Sequence, residues 1–411
     1  MQTKHKIILH CDVNNFFASC ECALNPSLKD LPVAVTGEKS KRNGIVLAKN
    51  NLAKSFGVKT GDIIYQAKQK CPDLVCVRPH HDIYEKYSKR IRKIYEEYTD
   101  KVEPFGIDEC WLDITDTAKF FGTPLEIANI LRKRIKEEIG VTISVGISFT
   151  KTFAKLGSDM KKPDAVTEIP FSKYKNMVYP LPLGSIIGIG RKLEPKLNKL
   201  NIFTLGDLAN CDKNLLKTKF GVIGEQLHDK LNGINDDEVA FANDSAQAKS
   251  IGNGTTTLVD VKNMQEMKTV VMFLCDEIAT RLRKKCVVGS TFQISLRKND
   301  LTWITKSHTI ENSTNNSFDI FNTAINLIEK MWDKKTQIRS VRISVSNLCN
   351  ENSINQLTLF EQKNTQKEKL DKAIDKIRDK YGYMSIKPLI TQNNDLLNSD
   401  ALRLDDKDSD D

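Results

Sequence analysis

The chain has 411 residues, 40% of them hydrophobic and 28% charged, with a formal net charge of +9. That supports about two to four folded domains. No run of eighteen apolar residues could span a membrane, and no signal-peptide pattern follows Lys4 and Lys6. The ten cysteines form no Cys-x-x-Cys and no zinc-spaced cysteine–histidine set, which excludes a disulfide scaffold or zinc module and fits free thiols in a reducing cytoplasm.

Residues 6–13 read as a buried strand, 14–23 as a helix start with adjacent Phe16 and Phe17, and 31–36 as a short strand. A basic loop at 37–43 precedes an apolar stretch at 44–48 and a helix at 50–56 stopped by Gly57. The segment 84–98 is a strongly periodic helix with a basic face. Two strands follow in 101–115, then a helix at 125–139 and a strand at 141–147. Long helices mixed with strands predict an α/β or α+β first domain of about 165 residues. Prolines and glycines from Pro170 onward punctuate a small helical unit reaching Gly233, and 234–248 reads as polar linker. Helix returns at 264–283, and strands at 291–297 and 341–345. A last helix is expected over 361–381, before an acidic end with a disordered composition.

Charge is unevenly spread. Residues 395–411 hold seven acids and two bases, so the remainder carries about +14. Residues 249–348 hold fifteen bases and nine acids, or about +6. A basic body with an acidic tail favours a polyanionic partner, although an ordinary solvated surface has the same composition.

Two acidic clusters end apolar runs. Asp12 closes Ile7-Ile8-Leu9-His10-Cys11, and Asp108-Glu109 lies within Val102 to Asp113. Carboxylates beside a buried sheet are costly unless neutralised, and hard divalent cations with oxygen ligands would do that. Consecutive strand residues point to opposite faces, so Asp108 and Glu109 reach one site only near a turn, which Gly106 permits. Three carboxylates from two neighbouring strands are what two-metal phosphoryl transfer needs. A solvated hairpin turn is the plainer alternative.

Cys11-Asp12-Val13-Asn14-Asn15-Phe16-Phe17-Ala18-Ser19-Cys20-Glu21 and Gly106-Ile107-Asp108-Glu109-Cys110-Trp111-Leu112-Asp113 resemble the two metal motifs of Y-family DNA polymerases. Asn14 in the first motif, and Asn51 where DinB-like members have tyrosine, lean toward the UmuC branch. The resemblance runs through residues 6–348 and implies an α+β multidomain fold, a right hand with palm, small fingers, helical thumb and a separate α/β little finger. The implied division is palm at 1–22 and 79–168, fingers at 23–78, thumb at 169–233, linker at 234–248 and little finger at 249–348. A clamp-binding peptide and C-terminal helix would occupy 349–392, and a disordered tail 393–411.

The resemblance also implies roles. Asp12 and Asp108 would hold two Mg²⁺ ions with the Val13 carbonyl, and Glu109 would ligate the one that acidifies the primer 3′-hydroxyl. Phe16 and Phe17 would lie at the dNTP site, Phe16 as core backing and Phe17 as the steric gate against ribose. Lys54 and Lys162 would meet the triphosphate. The family has serine where this chain has Gly106. Gly188 and Gly190, with Arg191 and Lys192, look like a helix-hairpin-helix that admits a DNA phosphate to backbone N–H groups. In the little finger, Arg281, Arg283, Lys284, Lys285, Arg297 and Lys298 are the expected phosphate contacts. Gln356-Leu357-Thr358-Leu359-Phe360 resembles the clamp-binding peptide of bacterial polymerases, in which Gln356 would anchor and Leu357, Leu359 and Phe360 would fill a pocket on the β sliding clamp.

Together these imply a monomeric, template-directed, low-fidelity translesion DNA polymerase of the bacterial cytoplasm, acting at the nucleoid. It would serve DNA repair, damage tolerance and SOS mutagenesis. Primer–template DNA, dNTP and the clamp would be its partners, with room for an accessory damage-response subunit. A nucleotide cyclase or a non-catalytic DNA-binding relative are the competing readings. The thumb and clamp peptide argue against the first, and the intact acidic triad against the second.

Overall fold

The first strand, β1 (Ile8–Val13), is buried along its whole length because a strand pairs with it on each side. The computed structural model describes residues 5–37, 44–234, 238–244, 248–351, 365–391 and 396. Two units emerge, one of residues 1–37 and 45–245, the other of 38–44 and 246–411.

In the first unit the backbone turns at Asn15, whose left-handed φ of 51° suits a short polar side chain, into α1 (Phe16–Leu24). Next come β2 (Val33–Thr36), β3 (Val46–Lys49), α2 (Asn51–Ser55), α3 (Ile64–Lys70) and β4 (Val75–Val77). These strands form a small sheet in the order β3-β2-β4 over its own core of Ala34, Val46, Val58 and Leu74. Asn50 caps α2 by accepting from the Ala53 N–H. The amphipathic α4 (His81–Glu96) leads to the hairpin β5 (Val102–Phe105) and β6 (Glu109–Asp113). Then follow α5 (Ala118–Phe121), α6 (Pro124–Arg134), β7 (Ile143–Ser148), α7 (Lys151–Met160) and β8 (Val166–Ile169).

The main sheet runs β5-β6-β1-β7-β8, antiparallel except for the last pair. The helix expected over 125–139 keeps its α form only to Arg134. A π-turn, Ile135–Ile139, finishes it at Gly140.

Five short helices build a further core together with Phe153 and Leu156 of α7 and Ile169 of β8: α8 (Tyr174–Val178), α9 (Glu194–Asn198), α10 (Leu205–Asn210), α11 (Lys213–Phe220) and α12 (Val222–Leu231). Leu183, Leu197, Leu205, Leu216 and Leu231 lie within it. The stretch read as free linker behaves otherwise. Val239 is buried beside Ile8, Trp111 and Ala154, the Ala240 N–H donates to Glu103, and the Ala242 N–H donates to the Asp100 carbonyl. Residues 238–244 therefore lie on the main sheet, because a valine at the centre of a polar stretch finds an apolar seat there.

The second unit contains β9 (Ser250–Val261), α13 (Met264–Lys284), β10 (Val287–Lys298), β11 (Trp303–Thr314), α14 (Ser317–Met331) and β12 (Ile338–Asn350). Its antiparallel sheet is ordered β11-β10-β12-β9, and both helices pack on one face through Val270, Leu274, Ile278, Ile320 and Ile328. The last helix, α15 (Thr365–Tyr381), is pinned to α13 by the buried pair Arg378–Asp276, whose Nη2–Oδ2 distance is 2.7 Å. Tyr383 donates to the same Asp276 at 2.9 Å. Among the described residues no helix is long and apolar enough to cross a membrane.

One close approach positions the chemistry. A Cβ on Gly146 of β7 would stand 1.9 Å from the Ala154 carbonyl oxygen of α7. Only glycine lets this helix lie so near the sheet. Gly146→Ala should therefore lift α7 and cost more than about 2 kcal/mol of stability, read as a lower chemical-denaturation midpoint of the first unit. An unchanged midpoint would refute the packing argument.

Candidate active site

Antiparallel register brings the acids together. Asp12, next to last in β1, pairs directly with Glu109, the first residue of β6. Asp108 occupies the turn before β6, and its carbonyl accepts from the Val13 N–H at 3.1 Å. Gly106 makes that turn with φ of 75°, so glycine is well suited where the family motif has serine.

Crowding sets the electrostatics. Burial, then the charges of Asp12 and Glu109, push the Asp108 carboxyl up to about 6. Asp12 is also pushed up by burial, against the pull of Lys162. Glu109 goes the other way: burial opposes its charge, but His10 and Lys155 outweigh that and hold its carboxyl low. Lys155, on α7, grips Glu109, and Lys162, just beyond α7, meets Asp12 Oδ2 at 2.6 Å and Asp159 Oδ1 at 2.8 Å. His10 brings Nε2 to 3.2 Å from Glu109, while Nδ1 lies 2.8 Å from Ser158 Oγ. Burial keeps the imidazole below its ordinary value, and Lys155 works the same way.

As placed, Glu109 turns to Lys155 and Asp12 to Lys162, so the described side chains do not close a set of three acidic donors around one point. The donor chemistry nevertheless suits hard cations. The carboxylates are all oxygen ligands, two are pushed toward their neutral forms chiefly by burial, and no lysine or arginine pairs with Asp108 among the described residues.

Beside the acids, Phe16 is buried in the sheet core and Phe17 is half-buried. Phe16 packs in that core because its side of α1 faces the sheet. Phe17 stacks on Tyr84 with centroids 4.4 Å apart and planes at 14°. Tyr84 in turn donates its hydroxyl to the buried Glu21, which also lies 2.9 Å from His80 Nδ1. Lys54 is exposed on α2, one turn from Asn51, whose side chain accepts from Asn15 at 3.0 Å. Lys155, His10, Glu21 and Tyr84 were not anticipated from the sequence. The only signal was the proximity of His10 to Asp12 and of Glu21 to Phe17 within one motif.

In the short-helix body, Gly188 takes φ of 100°, and a Cβ on Gly190 would meet open space. Arg191 and Lys192 beside them are exposed. In the second unit Lys284 and Lys285 are exposed at the end of α13, whereas Arg297 and Lys298 end β10. Arg283 must be corrected as a phosphate contact. Its Nη2 donates to Asp375 Oδ1 at 2.7 Å and its Nη1 lies 3.7 Å from Asp371, so α15 already neutralises it. Arg281 spends its Nη2 on the Gly252 carbonyl and Glu277. Gln356, Leu357, Leu359 and Phe360 lie outside the described residues.

Three family models match the chain: the impB/mucB/samB family over residues 11–159, the motif of the same family called HHH over 175–202, and its C-terminal domain over 248–359. The chain is 41% identical over 384 residues to a DNA polymerase IV of Acetivibrio thermocellus, covering 93% of this chain and 96% of that one. It is 37% identical to DNA polymerase IV 2 of Bacillus subtilis, covering 93% and 94%. Among solved structures, a Y-family DNA polymerase chimera matches with a TM-score of 0.74 at 25% identity, covering 84% of this chain and 99% of that one. DinB from Sulfolobus solfataricus matches with a TM-score of 0.55 at 25% identity, over the same shares. These relatives correct the lean toward the UmuC branch: the chain is DinB-like. Asn14 has a structural task instead, donating to Thr142 Oγ1 at 3.1 Å and accepting from Ser144 Oγ at 2.9 Å.

The raised carboxyl of Asp108 has a testable cost. Its folded value exceeds the ordinary one, so ionisation as pH rises through about 6 destabilises the chelated protein. Asp108→Asn should raise the melting midpoint by about 2–4 °C at pH 7.5 in chelator. That gain should shrink as pH falls below about 6 and vanish only below about 4, where the carboxyl is protonated in the unfolded chain as well. A midpoint unchanged at pH 7.5 would contradict the crowding.

Proposed function

The chain belongs to the impB/mucB/samB family of Y-family DNA polymerases, and on that footing we propose how its residues carry out template-directed, low-fidelity DNA synthesis past damage. The observation that carries the proposal is the register pairing of Asp12 with Glu109, with Asp108 in the adjoining turn. Two Mg²⁺ ions, held by Asp12, Asp108, Glu109 and the Val13 carbonyl, would lower the pKa of the primer 3′-hydroxyl and neutralise the phosphates.

The protein's own groups do the rest. Lys162 moves from Asp12 to the triphosphate, where its charge offsets that building up on the leaving pyrophosphate. Lys54 on α2 adds a second cation at the phosphates. Phe17, fixed by Tyr84, occupies the floor where a ribose 2′-hydroxyl would fall. Lys155 holds Glu109 ionised and oriented before a cation arrives. Gly188 and Gly190 bring backbone N–H groups to the DNA backbone, and the basic second unit grips the duplex.

The implied domain division and the clamp peptide belong to the same proposal. Palm and fingers correspond to the two sheets of the first unit, the thumb to its short helices and the little finger to the second unit. Tethering through Gln356, Leu357, Leu359 and Phe360 to the β sliding clamp would raise the effective primer concentration. The site of action is the bacterial cytoplasm, at the nucleoid. An accessory damage-response subunit would join as a transient partner.

A primer-extension assay with dNTPs and Mg²⁺ tests each part. Asp108→Ala should lower incorporation by at least about 10³-fold while primer–template affinity holds within about twofold. Phe17→Ala should admit ribonucleotides at least about 10-fold more readily. Replacing Gln356 and Phe360 by alanine should abolish stimulation by the clamp and leave clamp-free synthesis unchanged. Extension by Asp108→Ala at the wild-type rate would defeat the catalytic assignment. Unaltered sugar selection would remove Phe17 as the gate, and undiminished clamp stimulation would remove the peptide.

A further inference from the structure

Among the described residues of the second unit, the helices cover one face of its sheet and leave the other open. Alternate residues such as Phe292 and Val341 point to the helices, so their strand neighbours point away. On the open face Trp303 stands opposite Arg297, which faces Ser340 on the next strand. One step along, Ser295 faces Arg342, which in turn faces Gly254. The indole of Trp303 is 45% exposed, so it is no part of the core. Both guanidinium carbons, of Arg297 and of Arg342, lie 5.7 Å from its ring centroid. Arg297 is steered there by its Nε, which donates to the Leu301 carbonyl at 3.3 Å in the tight turn. Arg342 gains room from Gly254, where a Cβ would come within 3.0 Å of the Arg342 Cβ.

Two like charges share one ring, and among the described residues neither guanidinium pairs with a carboxylate. A cation over an exposed ring gains only about 0.5–1 kcal/mol, which orders the pair without neutralising it. A bridging anion would complete the arrangement, and guanidinium forks match phosphate oxygens. The surrounding unit is basic, about +6 over residues 249–348. We propose that Trp303 is a positioning residue that holds Arg297 and Arg342 as a two-armed fork on a backbone phosphate of the primer–template duplex. This rests on the polymerase reading above. It reads no base, and it acts through charge geometry on the open sheet face.

The test is equilibrium binding of a labelled primer–template by the full-length protein across a KCl series, with melting curves to confirm folding. Trp303→Ala and Arg342→Ala should each weaken binding about 5–10-fold near physiological salt. The slope of log K against log salt should shrink by about 0.9 for Arg342→Ala and by about 0.9–1.8 for Trp303→Ala. Trp303→Phe keeps a ring and should keep most of the slope. Single-turnover incorporation at saturating DNA should match wild type in all three, because the fork touches no reacting atom. Wild-type affinity in Trp303→Ala, or weaker binding with an unchanged slope, would overturn the positioning role. An equal loss in Trp303→Phe and Trp303→Ala would overturn the ring's part in it. Failure of the wild-type protein to bind the duplex would strike the polymerase reading instead.

Discussion

Three carboxylates at one strand end are the constraint around which the first unit is built. Register alone forces Asp12 against Glu109, and the turn before β6 adds Asp108. Left together in a half-buried setting, such charges repel and lose hydration, which is why two of them hold protons more tightly than free side chains do. The surrounding protein answers with cations from a single helix and the residues after it. Lys155 and Lys162 occupy Glu109 and Asp12 and leave Asp108 to itself. A site organised in this way is under tension until positive charge enters, and that is the state a polymerase needs before its substrate arrives with metal.

The helix that carries Lys155 is itself positioned by a missing side chain. The 1.9 Å that a Cβ on Gly146 would leave to Ala154 puts α7 closer to the sheet than ordinary packing allows. Stability, site geometry and charge balance therefore meet in one helix–sheet contact. The same pattern recurs on the second unit, where Gly254 clears space for Arg342. In both places a glycine in a strand marks a close approach rather than a weak point.

What was legible in the chain follows from how local its causes are. The strand before Asp12, the hairpin around Asp108 and the periodic helix read from Tyr84, which in the fold begins at His81, announced themselves through apolar runs and spacing. β9 and β11 did not, because much of each strand is exposed and both carry serine and threonine, with glycine in β9, residues that also mark loops. Lys155 was invisible among many lysines, since its partner Glu109 lies 46 residues away in sequence. Arg283 misled for the converse reason. Its neighbours in sequence are basic, but its partner Asp375 is 92 residues distant on α15. Phe17 could be singled out by position in a motif, whereas the Tyr84 and Glu21 that steady it required the fold.

The return of residues 238–244 to the main sheet changes what the short-helix body is mechanically. It leaves that sheet after β8 at Ile169, and the chain comes back to it through Val239 and Ala242. Phe153 and Leu156 of α7 and Ile169 of β8 share its core as well, so the body is seated along the platform rather than hung from one crossing of the chain.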